Sequence, residues 1–140
     1  MKVLIVFIGL LIVNVTFVIY QGDLCRYIHL QTFLKSVAEE CAAGAALYYD
    51  EEAYGHGTMI INRGEAIRYT DYIVEKATGI LDLEEGEKLS YEMEIDNHER
   101  APTVVVTLQL TTKDLFRLPF LKVEQVARSA KYQLADYERQ

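Results

Sequence analysis

A chain of 140 residues, 51% of them hydrophobic, with a net charge of −7, suits one modest core, and its apolar excess is gathered at one end. The acidic balance excludes sequence-independent binding to nucleic acid, which needs a basic surplus to neutralise phosphates. No run of Lys and Arg follows the apolar end, so a polybasic lipid-binding patch is excluded too.

Val3 to Tyr20 reads VLIVFIGLLIVNVTFVIY, 18 residues without a charge. Its Val, Leu, Ile and Phe residues together contribute about −4 to −8 kcal/mol to bilayer insertion, and a single Asn14 costs less than the ~3 kcal/mol of a charge. The stretch reaches ~27 Å as a helix, enough for a thin bilayer, with Tyr20 where an interfacial aromatic belongs. Val3, Phe7, Leu11, Asn14, Phe17 and Tyr20 mark the expected transmembrane and assembly helix. A cleaved secretory signal is the competing reading, but the stretch is long and VIYQGDLC offers no A-x-A-like site. Lys2 and the α-amino group favour a cytoplasmic N-terminus with the rest of the chain outside, against Arg26 and Lys35 on the other flank. Asn14 is either a tolerated passenger or a hydrogen-bonding group toward a neighbouring membrane helix.

Only Gly22-Asp23 marks a turn after Tyr20, and a new pattern begins. Tyr27, Leu30, Leu34, Val37, Cys41, Gly44 and Tyr48 are spaced 3-4-3-4-3-4, a heptad-like packing seam. With no proline between, the spacing predicts one helix from Val3 to Tyr49, ~70 Å long. The small-residue run Ala42 to Ala46 packs either on the chain's own sheet or on another subunit. Tyr48 to Gly57 (YYDEEAYGHG) reads as a connection, with a contact loop as the alternative.

Cys25 and Cys41 are the two cysteines. On one helix they stand ~24 Å apart, which rules out an intrachain bridge. They are buried small hydrophobes or candidate intersubunit thiols.

Asn62 caps a second helix with Glu65 three residues on, and Ala66, Ile67, Thr70, Ile73, Val74 and Ala77 form its inner face; Gly79 stands where a C′ glycine would close it. The acidic Leu81 to Glu87 segment matches no EF-hand. Lys88 to Asp96 alternates Leu89, Tyr91, Met93 and Ile95 against Ser90, Glu92 and Glu94. Thr103 to Thr112 answers it after a reversal at Asn97 to Pro102, so the pair reads as an antiparallel hairpin. Phe116 to Phe120 (FRLPF) is a proline-broken connection. Val123 to Tyr137 fits a strand, with Arg128 as an intruder, or a helix.

No nucleophile elbow, phosphate loop, zinc motif or dinucleotide fingerprint is present, and His29, His56 and His98 lack metal-ligand spacing. No enzyme activity, metal or cofactor is expected. The expected fold is α+β: a long N-terminal helix, a second short helix and a small antiparallel sheet. Residues 1–22 form the transmembrane anchor, and residues 23–140 an extracytoplasmic domain whose first helix continues from it.

That plan resembles type IV pilin-like subunits. More specifically, VAEECAAGAALYYD (Val37 to Asp50), TVVVTLQL (Thr103 to Leu110) and RLPF (Arg117 to Phe120) followed by VEQVARSAKYQLAD (Val123 to Asp136) resemble TadE-like proteins, the bacterial pseudopilins of tight-adherence (Tad) pilus systems. The resemblance implies about three strands, the last of them in the Val123 to Tyr137 segment. It also implies a role as a structural or accessory pilus or secretion-system subunit in cell adhesion. The partners would then be the lipid bilayer and other pilin-like subunits or assembly proteins, met through the long helix, with incorporation into a surface filament. The chain departs from the pattern at its start: Met1-Lys2 stands directly before the apolar helix, which contains no glutamate. The resemblance therefore leaves prepilin-peptidase processing and filament charge pairing open. A single-pass membrane-tethered binding module for an envelope partner is the alternative; an anchored enzyme or inhibitor has less behind it.

Overall fold

The computed structural model describes residues 1–97 and 101–134. Among these residues three helices, α1 (Lys2–Ala46), α2 (Glu51–Gly55) and α3 (Arg63–Leu81), precede three strands, β1 (Lys88–Asp96), β2 (Thr103–Thr111) and β3 (Gln125–Gln133). The strands form one antiparallel sheet in the order β1-β2-β3, and α1 and α3 pack on one face of it. This is the α+β architecture expected from the sequence.

The two halves of α1 live in different surroundings. Residues 1–20 are exposed except for the half-buried Thr16 and Ile19. Further along, Leu34, Val37, Ala38, Cys41, Ala42, Ala45 and Ala46 are buried. Their spacing gives a stripe wider than a strict heptad seam, as a helix needs when it faces a sheet and a second helix together. The alanines let α1 lie close against β3, β2 and α3.

The helix stops at Ala46, three residues short of the expected Tyr49. Tyr49 instead forms an antiparallel bridge with Ile61, and Asp50 caps α2 by accepting hydrogen bonds from the Glu52 and Ala53 N–H groups. Those alternative partners for the backbone outcompete one more helical turn. The expected plain connection thus contains a short capped helix.

In α3, Asn62 caps as expected, accepting from Gly64 and Glu65 N–H, and Ala66, Thr70, Ile73, Val74 and Ala77 are buried. Gly79 is not the terminator. The helix runs two residues past it and closes on Asp82 in the left-handed region at φ 48°, a conformation that a short polar side chain tolerates.

The hairpin register pairs Leu89 with Leu110, Tyr91 with Leu108, Met93 with Val106 and Ile95 with Val104. The β2 residues Val104, Val106 and Leu108 are fully buried at the centre of the core, each stabilising it by about 1.5–3 kcal/mol. The ambiguous tail is a strand: Val126 pairs with Leu110 and Ala130 with Val106, both tail residues facing the core. Arg128, between them on the same face, is accommodated because its guanidinium donates to the Gln31 side chain on α1. His98 in the reversal and Tyr137 in the tail lie outside the described residues.

Candidate membrane and assembly surface

The largest apolar surface is the bare half of α1. Val3, Phe7, Leu11 and Phe17 are each more than half exposed, and the exposure runs round the whole circumference instead of along one stripe. In water this would cost far too much. A helix apolar all round and of this length suits a bilayer. It is the one helix among the described residues long and apolar enough to cross a membrane. Two polar side chains of the span bond back to the helix: Asn14 Nδ2 donates to the Leu10 carbonyl at 2.8 Å and Thr16 Oγ1 to that of Ile12 at 2.9 Å. Asn14 thus has one amide donor bonded within its own helix.

The point where bare helix becomes domain is marked by a residue that the sequence offers only as half of a turn signal. Asp23 is 1% exposed. Its Oδ2 accepts the Arg117 backbone N–H at 2.9 Å, and its Oδ1 lies 3.5 Å from Arg117 Nε. An acid buried this deeply requires such partners. Beside it, the Phe116 ring packs on Tyr20 and Tyr27, with centroids 6.5 and 5.8 Å away. The proline-broken segment is therefore a strap fastened across α1 at the foot of the domain. Its sequence signal was available only in part, as a lone acid one turn beyond an apolar stretch.

The heptad-like seam is occupied internally. Leu34, Val37 and Cys41 are buried in the chain's own core, with Tyr27 and Leu30 packed against it. Gly44 sits under the Tyr69 ring of α3, so close that a Cβ would collide with it, and Tyr48 lies past the helix end with its ring 5.5 Å from that of Tyr69. The small residues thus serve helix–helix packing within one chain. The Tyr48 to Tyr54 segment also folds on itself, with Tyr49 and Tyr54 ring centroids 5.2 Å apart.

The two thiols differ. Cys25 is exposed and Cys41 buried, both unpaired. Burial, with a smaller contribution from the Glu40 charge, pushes the Cys41 thiol up to about 12. Cys41 packs inside the chain's own core, so of the two candidate intersubunit thiols Cys25 is the one at the surface.

Away from the anchor, Tyr91 donates its hydroxyl to Asp71. Burial first, then that hydrogen bond and the Asp71 charge, hold the phenol protonated up to about 12. Glu87 closes the acidic turn: it accepts from the Thr112 hydroxyl at 2.8 Å and from the Glu84 N–H, and the Thr112 bond is the largest cause holding its carboxyl below the usual range. These carboxylates are structural ties. Among the described residues, no group of three or more His, Cys, Asp or Glu side chains could hold a metal ion.

No family model, no curated protein and no solved structure matches the chain.

Proposed function

We propose that this is a single-pass membrane protein acting as a pilin-like structural or accessory subunit, one that meets its neighbours through the bare half of α1 and presents its sheet domain outside the membrane. One observation supports this reading most: a single uninterrupted helix of 45 residues is bare in its first half and forms the core of an α+β head in its second. A tether needs only a span and a flexible linker. A continuous helix fixes the head's orientation to the span, which suits a repeated assembly in which each subunit repeats the same pose. Because the inner seam is filled by the chain's own core, contact between subunits falls to the Val3 to Tyr20 surface. In an assembled bundle that surface exchanges lipid for neighbouring helices.

Oxidative crosslinking in native membranes tests the reading, with cysteines placed singly at Phe7, Leu11 or Asn14 in a Cys25→Ser chain. Reducible dimers at some of these positions, together with a native complex larger than the monomer, are the expected result. Monomer at every position, with each thiol still open to a small alkylating agent, would overturn it.

A further inference from the structure

The strap has a feature that fastening alone does not explain. Beyond Arg117 it turns so that Leu118 and Phe120 stand beside the bare helix instead of over the domain core. With Ile12, Val13, Thr16, Phe17 and Tyr20 they line an open groove of about 370 Å³. Phe120 is 73% exposed, although a large aromatic on a short loop would normally turn inward. The helix side of the groove extends two turns, ~12 Å, from Tyr20 toward the N-terminus, so it lies at the level of the span.

We propose that the Phe116 to Leu121 strap is a second membrane contact: Leu118 and Phe120 dip below the headgroups of the leaflet next to the domain, and a lipid acyl chain fills the groove between them and α1. This rests on reading Val3 to Tyr20 as a membrane span. Three observations favour lipid as the occupant. The groove is continuous with a surface that is apolar all round, which a bilayer wets everywhere and a partner helix covers on one side only. Arg117 and Lys122 bracket the apolar tip in sequence, at the height where anionic headgroups would lie. The backbone of the strap is also suited to shallow insertion. Arg117 N–H is taken by Asp23, Pro119 has none, and Leu121 N–H bonds to the Leu118 carbonyl at 3.0 Å. Few donors are left to desolvate, and interfacial side chains reach ~5–10 Å deep without carrying the backbone into hydrocarbon. Held by the Asp23 clamp, the strap fixes both the depth and the tilt of the domain on the membrane.

The chain contains no tryptophan, so a single Trp reports one position without background. The full chain carrying Phe120→Trp is reconstituted at low protein density in vesicles of phosphatidylcholine and phosphatidylglycerol with brominated acyl chains. Phe7→Trp serves as the span control and Tyr54→Trp as the domain control. The expected result is a blue-shifted Phe120→Trp emission that loses most of its intensity to bromine, as Phe7→Trp does, while Tyr54→Trp keeps its own. Quenching at Phe7→Trp with Phe120→Trp behaving like Tyr54→Trp would overturn the strap contact and leave the span standing. No quenching at either position would overturn both. Quenching at Phe120→Trp that disappears as protein density rises would assign the groove to a second copy of the chain instead. Protection of Cys41 from alkylation reports that each variant is folded, and Leu118→Trp replaces any that is not.

Discussion

Asp23 and Arg117, 94 positions apart in the chain, are joined twice: one carboxylate oxygen accepts the Arg117 backbone N–H and the other faces its guanidinium. The two links differ in exposure, since the guanidinium side is 68% open to solvent and the carboxylate is not. An exposed ion pair contributes roughly 0–1 kcal/mol, whereas a hydrogen bond from a backbone N–H to a buried charged acceptor contributes about 1.5–3 kcal/mol. Asp23→Ala is therefore expected to destabilise the domain by about 2 kcal/mol and to free the strap. Arg117→Ala, which keeps the backbone N–H, should cost less than about 1 kcal/mol. Thermal unfolding in detergent micelles, with limited proteolysis at the strap, separates the two.

The contact of Gly44 with Tyr69 sets up a change of sign. A methyl at position 44 runs into the ring, and overpacking costs about 1–3 kcal/mol, against which Ala gains ~1 kcal/mol over Gly in a helix. Gly44→Ala should be destabilising in the natural chain. In a Tyr69→Ala background it should become neutral or stabilising, and a double-mutant cycle read by denaturant unfolding reports the coupling.

For the thiols, alkylation of the folded protein should modify Cys25 alone, with Cys41 reacting only on unfolding, as mass spectrometry would show. It follows that mild oxidation of the natural chain stops at a dimer, because one exposed thiol per chain cannot build a ladder. Cys25→Ser should abolish that dimer. A reducible ladder in the natural chain would place Cys41 at the surface and contradict the packing of α1.

Glu87 gives the domain a pH dependence of definite sign. Its folded carboxyl is depressed, chiefly by the Thr112 hydroxyl. Its contribution is therefore present above the ordinary carboxylate range, near ~4.3, and is lost as pH falls through the lower folded value. Thr112→Val should make the unfolding midpoint fall less steeply between neutral and acid pH, and Glu87→Gln should flatten it further. An unchanged pH profile in both variants would show that the bond contributes nothing.

What was legible in the sequence was local. The alternation of Leu89, Tyr91, Met93 and Ile95 fixes which face of β1 is inward, and the Asn62 cap needs only its own next three residues. The lost elements were those in which a distant partner decides. The tail is a strand because β2 offers Val126 and Ala130 a core face and Gln31 takes up Arg128, none of which is visible along the tail itself. The end of α1 moved because Ile61, twelve positions on, captures Tyr49. Asp23 read as half of a turn because nothing beside it in sequence announces an acceptor for Arg117.

The claim on which the rest stands is that the half of α1 left bare by the domain lies in a membrane, and the other half in the domain's own core. Labelling with a membrane-impermeant maleimide tests it directly, using intact membranes and single cysteines at Phe7, Leu11, Phe17, Arg26 and Tyr54 in a Cys25→Ser chain. The expected result is no labelling at 7, 11 and 17, and full labelling at 26 and 54 from one side of the membrane only. Labelling at 11 as fast as at 54 would contradict it.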